Sequence, residues 1–336
     1  MPGLLAGSAR NAHARRSLPP AVRARLRALV PLGVLVLLCL TISAVAPSFL
    51  SVGNLVRVLI AAAIPMTLAC GMTFVILMGS IDLSVEGVVA VSATVLSLLV
   101  ANGVNANDYG LAAVPLAVLA GALAGLVNGV IHVRLRIPSL IASLGVGFAG
   151  IGLATLILGG SAVAVTDPLV LGMAFHRAFG IPIIVWIAAA AVAVAWFVQE
   201  YTRIGRWTYA LGGGEDICKL SGIPIERVRV GIFTLAGAFY GLAGALSVAQ
   251  FGEGQALIGE GFLFSVITAV VVGGTSLAGG VGGILNSVVG VLVVTVLGNG
   301  MVLMGVPPEL QEGVQGVLIL IAVGLSLDRL RARIVK

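Results

Sequence analysis

The stretch VLIAAAIPMTLACGMTFVILM, residues 58–78, contains no charged side chain in 21 positions. A helix of about 20 apolar residues is long enough to cross the hydrocarbon core of a bilayer, which is roughly 30 Å thick. Inside that core each backbone N–H and C=O group must be bonded within the protein, and a helix achieves this within one segment. We therefore predict a transmembrane helix here, and the surrounding sequence decides how many more there are.

The same apolar character continues through the whole chain of 336 residues. Hydrophobic residues make up 59% of it and charged residues only 10%, with a mean hydropathy of +1.16. A soluble domain has about 25% charged residues, so this chain has too few charged residues to cover the surface of a water-soluble globular protein. With Gly, Pro and charged residues as boundaries, about ten apolar runs follow one another: 28–46, 58–78, 84–101, 111–133, 138–158, 181–198, 230–251, 262–281, 284–304 and 309–327. The predicted fold class is an all-α polytopic membrane protein with about ten transmembrane helices.

The distribution of basic residues tests this map. If the N-terminus is cytoplasmic and every run crosses the membrane, 17 of the 19 Lys and Arg residues lie on the cytoplasmic side, and only Arg57 and Arg177 lie outside. Cytoplasmic loops carry such an excess of positive charge, so the net charge of +6 indicates membrane orientation rather than a nucleic-acid partner. The predicted organisation is a basic cytoplasmic tail at 1–27, one transmembrane domain at 28–327 with a cytoplasmic loop at 199–229, and a basic cytoplasmic tail at 328–336.

Three places in this map have a second interpretation. The eighth run loses its apolar character at GGTSLAGG, residues 273–280, and the tenth begins among Glu309, Gln311 and Glu312. Either run could be a broken or re-entrant segment, which is tolerated at membrane depth where protein or a wet cavity satisfies the backbone. The sequence Ala-Val-Ala at 44–46 resembles a signal-peptide cleavage site, but the long basic region and long apolar run before it favour a retained first helix.

The residue inventory excludes several kinds of chemistry. The chain has only two lysines, Lys219 and Lys336, and neither lies in a GxxxxGK[ST] motif, so we expect no P-loop nucleotide hydrolysis. Its histidines, His13, His132 and His176, are far apart, which argues against a metal site. No HExxH motif or pair of intramembrane carboxylates supports the alternative of a membrane-embedded enzyme.

The predicted spans contain neutral polar groups rather than ionisable ones. Asn128, Asn286 and Asn299 lie within them, whereas Asp82 and Glu86 lie at the junction between the second and third spans. Ion-coupled carriers commonly place an ionisable group at membrane depth, so its absence predicts that energy for any transport comes from another chain. Neutral amides suit an uncharged, hydroxyl-rich solute, and the alternative is that they cross-link neighbouring helices by hydrogen bonds.

Two further patterns predict local structure. Gly121, Gly125 and Gly129 recur every four residues on one face of the fourth span, which predicts a close helix–helix contact. In the polar segment 199–229, three glycines at 212–214 precede two acidic residues, and Gly222 and Pro224 follow shortly after. These signals predict a short helix from Glu215, which is either a docking element for a cytoplasmic partner or part of a solvated loop.

Several longer motifs in the same order resemble a known family. Residues 72–85, MTFVILMGSIDLSV, are similar to the segment MT-x-VI-x-x-GGIDLSVG of the permease subunits of ATP-binding-cassette importers for monosaccharides, the ribose, xylose and galactose group. Ser80 and Glu86 stand here where that family usually has glycine. The stretches LRIP at 135–138, TRIGR at 202–206, LSGI at 220–223 and GGTSLAGG at 273–280 also match, and the resemblance runs from about Asn54 to Leu327.

The resemblance implies a fold, partners and a mechanism. The fold would be that of importer permeases of the sugar and branched-chain amino-acid type, in a bacterial plasma membrane. Two permease copies or homologues would form the pathway, a periplasmic or extracellular binding protein would deliver the sugar, and a cytoplasmic ATPase would bind ATP and magnesium. This chain would then have no cofactor, metal or enzymatic activity of its own. The alternatives are a permease for another small solute, such as a hydrophobic amino acid, or a self-contained secondary carrier.

The resemblance also assigns site residues. The short helix would be the coupling helix that contacts the ATPase, with these residues: Glu215, Asp216, Cys218, Lys219, Leu220, Ser221 and Gly222. Asp216 and Ile217 occupy positions where the family usually has alanine. The candidates for the translocation pathway are Asn128, Asn286, Asn299 and Asp82. For Asp82 the alternative role is capping the third helix, because Asp before an apolar run satisfies open backbone N–H groups.

Overall fold

The computed structural model describes residues 20–334, with side chains over residues 29–321. The predicted basic tail at 1–27 therefore lies outside the described side chains, and so does the predicted basic tail at 328–336. The statements that follow concern the described residues.

The described part of the chain is almost entirely helical, which confirms the all-α class. It contains thirteen α-helices: α1 (Pro20–Val45), α2 (Val52–Leu77), α3 (Val85–Leu99), α4 (Ala113–Arg134), α5 (Ser139–Leu158), α6 (Pro168–Phe175), α7 (Ile183–Tyr201), α8 (Arg203–Gly213), α9 (Glu215–Leu220), α10 (Ile225–Phe251), α11 (Phe262–Val272), α12 (Ile284–Leu303) and α13 (Pro308–Ile334). Two antiparallel pairs of two-residue strands join loops: β1 (Val163–Ala164) with β4 (Glu253–Gly254), and β2 (Arg177–Ala178) with β3 (Ile181–Pro182).

Nine of the ten predicted spans coincide with one of these helices, and the eighth does so only in its first half. Six helical segments are long and apolar enough to cross a membrane by themselves, namely α2, α4 with the turn before it, α5, α7, α10 and α12. The apolar helix α3 is shorter, and so is the described apolar part of α1, Leu29–Val45. The tenth predicted span lies within α13, which is one continuous helix.

The eighth predicted span is a broken segment, as its second interpretation required. Only the 11-residue helix α11 forms there, and its length of roughly 16 Å is about half the thickness of the hydrocarbon core. An irregular loop from residue 273 to residue 283 follows it. This loop is held by contacts within the protein, which are described with the site below.

The core of the molecule is formed around α2 and α10. In the most apolar stretches of these helices 72% and 78% of the residues are buried, against 22% in α4 and in α5. α10 packs against α4, α3 and α2. The faces of α4 and α5 that point away from this core are therefore available to lipid or to another chain.

The predicted glycine contact is confirmed, and its partner helix is α10. A Cβ atom added to Gly121 would overlap the carbonyl oxygen of Gly237, and one added to Gly237 would overlap the carbonyl oxygen of Gly121. Gly125 lies in the same way against the carbonyl oxygen of Phe233. Such small residues let two backbones approach closely, and this close approach is a main source of helix association in membranes.

Candidate functional site

The polar segment between α7 and α10 folds as two consecutive helices rather than one. The hydroxyl of Thr202 accepts a hydrogen bond from Gly205 N (3.4 Å) at the start of α8, and Gly214 separates α8 from α9. Helix α9 is the predicted short helix. Helix α8 was not predicted, although Trp207 and Leu211 recur at helical spacing and pack against the core.

An ion-pair cluster ties α9 to the start of α10. Glu215 lies 3.2 Å from Lys219 Nζ and 2.7 Å from Arg229 Nη2, and Lys219 also lies 3.7 Å from Asp216. The hydrogen bond from Lys219 and the charge of Arg229 lower the pKa of Glu215 below its ordinary value. Because Arg229 belongs to α10, its bond to Glu215 fixes the orientation of α9 on the membrane-embedded helices.

Helix α9 presents an apolar surface to its surroundings. The side chains of Ile217 and Leu220 are 69% and 91% exposed, whereas Cys218 between them is only 2% exposed and packs against its own chain. Leu220 was a predicted contact residue, and Ile217 was missed, although its spacing of three residues from Leu220 puts both on one side of a helix. Cys218 is thus a buried anchor of α9 rather than part of its surface.

The last residues of the predicted coupling set end the helix. Ser221 Oγ donates a hydrogen bond to the carbonyl oxygen of Ile217 (2.8 Å). Gly222 has a φ of 69°, and Ile223 N donates to the carbonyl oxygen of Cys218 (3.1 Å). A left-handed residue with such a bond is a common helix C-terminus, and glycine adopts it at low steric cost. The turn at Gly222 directs the chain from α9 into α10.

Two of the four pathway candidates lie together. The Asp82 carboxylate accepts hydrogen bonds from Ser84 N (2.9 Å), Ser84 Oγ (2.6 Å) and Asn128 Nδ2 (3.3 Å), and all three residues are buried. The buried hydroxyl of Tyr240, which the sequence did not single out, lies beside Asp82. The bond to Ser84 N orders the residue before α3, but among the described residues Asp82 accepts no bond from the first turn of α3, which the capping interpretation required.

The other two candidates do not join this cluster. Asn299 forms a reciprocal pair of hydrogen bonds with Asn54, with N–O distances of 2.9 and 3.2 Å, which cross-links α12 to α2. This is the helix-linking role that the sequence left open for the embedded amides. Asn286 is half-buried in the first turn of α12, beside Gly274.

The loop 273–283 and the first residue of α12 are held by three hydrogen bonds to distant parts of the chain. Gly280 N donates to the carbonyl oxygen of Leu77 at the end of α2 (2.8 Å), and Ile284 N donates to Gln199 Oε1 (2.7 Å). Tyr209 on α8 donates its hydroxyl proton to the carbonyl oxygen of Gly282 (2.7 Å). Burial, together with nearby Glu200, raises the pKa of Tyr209 to about 12, so its hydroxyl remains a donor. No sequence pattern predicted these partners.

Glu86, the second acidic residue near the membrane, has a structural partner. Its Oε1 accepts from Gly261 N (3.0 Å) and Leu263 N (3.3 Å), the open N–H groups at the start of α11. A carboxylate at a helix N-terminus is stabilised both by these bonds and by the helix dipole. Glu86 therefore supports the broken span rather than standing free in a cavity.

Comparison with known proteins gives the same family as the motifs. The family described as branched-chain amino acid transport system / permease component matches residues 54–323. The ribose import permease protein RbsC of Escherichia coli strain K12 is 35% identical over 86% of this chain and 90% of that protein. The Bacillus subtilis RbsC protein is 36% identical over 88% and 90%, and the L-arabinose transport system permease protein AraH of E. coli is 34% identical over 82% and 83%. No solved structure matches the chain significantly. With most of its length matched, the chain belongs to this family of permease components of transport systems.

Proposed function

We propose that the chain is the membrane subunit of an ATP-driven importer for a monosaccharide. The observation that carries the proposal is the exposed pair Ile217 and Leu220 on a helix anchored outside the membrane spans. Two large apolar side chains exposed on a six-residue helix between charged neighbours are typical of a protein contact surface. The partner in this proposal is a cytoplasmic ATPase, which would bind ATP and magnesium.

The proposed substrate class rests on the relatives and on the buried polar cluster. The relatives' names assign them to ribose and L-arabinose import. The Asp82–Asn128 cluster offers hydrogen-bonding groups of the kind that recognise sugar hydroxyls. A second permease copy would complete the pathway, and an extracellular binding protein would deliver the sugar. Transport of another small solute, such as a hydrophobic amino acid, remains the alternative to be tested by competition.

The source of energy distinguishes this proposal from a secondary carrier. Asp82 and Glu86, the acidic residues at the junction of the second and third predicted spans, are both bonded to backbone N–H groups. An ion-coupled carrier needs an ionisable group that can exchange its proton or cation during the cycle. We therefore assign the energy input to the partner ATPase and place both termini and α9 in the cytoplasm of a bacterial plasma membrane.

The first test measures uptake of radiolabelled ribose into proteoliposomes that contain the full chain and its co-purified ATPase and that are supplied with the sugar-binding protein. We expect uptake to require ATP and to stop when the ATPase is inactivated. Unlabelled arabinose and leucine, added as competitors, distinguish a sugar from an amino-acid substrate. Uptake that continues without ATP hydrolysis would contradict the importer assignment and favour the carrier.

The second test addresses the docking surface. We expect Leu220→Asp and Ile217→Asp each to abolish co-purification of the ATPase while the permease still inserts. The matched control is Val104→Asp, because Val104 is 67% exposed in the loop between α3 and α4 on the predicted outer side. Retention of the ATPase by both α9 variants would exclude α9 as the docking element.

A further inference from the structure

Two adjoining cavities meet at Ile137, in the connection between α4 and α5. The first, of about 940 Å³, lies between this connection and the start of α10. The second, of about 540 Å³, is a groove between α4 and α5 with Val91 of α3 among its lining residues. Ile137 lines both, so the two cavities are neighbours.

The first cavity is predominantly basic. Its charged lining residues are Arg136, Lys219, Arg227, Arg229, Glu215 and Glu226. Glu215 pairs with Lys219 and Arg229, whereas among the described residues Arg136 and Arg227 form no ion pair. Glu226 likewise forms no ion pair among the described residues, so basic groups outnumber carboxylates by four to two, and the unpaired groups, two guanidinium groups and one carboxylate, still favour an anionic ligand.

Two details show that the α4–α5 connection is specifically shaped. Arg136 has a φ of 55°, a left-handed conformation that is uncommon for any residue with a side chain. His132 lines the same cavity, and its Nδ1 lies 2.7 Å from the carbonyl oxygen of Ile137. Its Nε2 is buried and has no hydrogen-bond partner within the described residues.

The second cavity has the shape and polarity of a groove for a hydrocarbon chain. Its walls are entirely apolar, with Leu123, Val127 and Ile131 on α4 and Ile141 and Leu153 on α5. From Ala120 to Ile131 it follows α4 for a distance of roughly 16 Å. That distance is comparable with the length of a phospholipid acyl chain.

We propose that these two cavities together form a binding site for an anionic phospholipid. One acyl chain lies in the groove between α4 and α5, and the phosphate group lies at Arg136 and Arg227. Basic pockets between transmembrane helices at the cytoplasmic surface favour anionic lipid head groups in this way. Charge complementarity selects a lipid over a second permease copy, because an apolar partner helix would leave the two guanidinium groups unmatched. The first cavity adjoins α9, whose Glu215 and Lys219 line it, but the importer assignment does not require a lipid there.

The test is native mass spectrometry of the purified full-length chain, titrated with phosphatidylglycerol or phosphatidylcholine. We expect preferential retention of phosphatidylglycerol. Arg136→Gln should lower its affinity about fivefold, the effect of one basic residue near an anionic lipid surface, and Arg136→Lys should restore most of it. Arg134→Gln is the matched control, since Arg134 is in the same connection but does not line the cavity.

The groove is tested by a substitution that fills it. Gly145 lines the groove, and a Cβ atom at this position meets nothing within 4 Å, so Gly145→Leu should fold normally and weaken binding of both lipids. Gly152→Leu is the control on the same helix, because Gly152 is equally open but does not line the groove.

Four results would overturn the proposal. These are equal retention of the two lipids, equal losses for Arg134→Gln and Arg136→Gln, unchanged lipid binding in Gly145→Leu, and a dimer that dissociates in Gly145→Leu while lipid binding persists. The last result would assign the groove to a second copy of the chain. Because transport is not measured, none of these outcomes bears on the importer assignment.

Discussion

The substitution Gly212→Ala tests a crowded backbone contact close to α9. A Cβ atom on Gly212 would overlap both the carbonyl oxygen of Leu77 and the nitrogen of Gly280. These two atoms are the acceptor and the donor of the 2.8 Å hydrogen bond that ties the loop 273–283 to the end of α2. The added methyl group can be accommodated only if α8 moves away or if this bond opens.

The expected loss of stability follows from the overpacking and from the opened hydrogen bond. Overpacking at a site with rigid backbone neighbours costs about 1–3 kcal/mol, and the net loss of one hydrogen bond costs about 1 kcal/mol. Replacing a helical glycine by alanine returns up to about 1 kcal/mol through helix propensity. We therefore expect Gly212→Ala to lower the free energy of unfolding by about 1–3 kcal/mol.

The neighbouring glycine provides the matched control. Gly213 is also in α8, and a Cβ atom there meets nothing within 4 Å. Gly213→Ala should therefore keep or slightly raise stability, and the two variants should differ by about 2–4 kcal/mol. The assay is a reversible unfolding titration in mixed micelles, followed by ATP hydrolysis and uptake measured together on the reconstituted transporter.

The unfolding titration tests the packing argument, and the joint measurement of ATP hydrolysis and uptake tests the role of this contact in coupling. We expect the Gly212→Ala protein to retain the bound ATPase, because α9 is not altered. We expect it to transport less sugar per ATP hydrolysed than the unmodified protein does. Equal stability of the alanine variants at 212 and 213 would refute the packing argument. A destabilised Gly212→Ala protein that transports with normal coupling would refute a role of this contact in coupling.

Three further predictions concern helix packing, the Asn pair and pH. Gly125→Ala should lower the free energy of unfolding by about 1–3 kcal/mol, because its Cβ would overlap a carbonyl oxygen of α10, whereas Gly231→Ala, which has open space, should not. A double-mutant cycle of Asn54→Ala and Asn299→Ala should give a coupling energy of about 0.6–1.7 kcal/mol, and a value near zero would contradict the cross-link. Because the pKa of Glu215 is lowered in the folded protein, its ion pairs contribute fully to stability at pH values above the ordinary glutamate pKa of about 4.3. This contribution to stability is lost as the pH falls through the lowered pKa. Hydrogen exchange of α9 should accelerate over that range in the native protein, and an unchanged pH profile in Glu215→Gln would contradict this origin.

Features encoded by local pattern could be predicted from the sequence. The helix positions follow from the length of the apolar runs, and the contact of Gly121 and Gly125 follows from their spacing of four residues. The short helix α9 follows from the glycines, acids and turn residues around it. In each case the residues that carry the signal lie within a stretch of about one to six helical turns, so they are neighbours both in the sequence and in the structure.

Features that depend on distant parts of the chain could not be predicted. Nothing in the neighbourhood of Asn299 shows that its partner is Asn54, which is 245 residues away. Cys218 and Ile217 are adjacent apolar residues in a polar loop, and only the packing of α9 decides which one is buried and which one is exposed. Among the pathway candidates, the joint position of Asp82 and Asn128 likewise depends on how α4 packs beside the connection from α2 to α3.

These long-range contacts form one continuous route from α9, the proposed docking element, to the buried polar cluster. Gly214 alone separates α9 from α8, and Tyr209 and Gly212 of α8 contact the loop 273–283. That loop is bonded to Leu77, the last residue of α2, five residues before Asp82. A displacement of α9 that preserves these bonds must therefore move the broken span and the end of α2 together. Because both adjoin the Asp82 segment, we expect a movement of α9 to change the surroundings of that carboxylate.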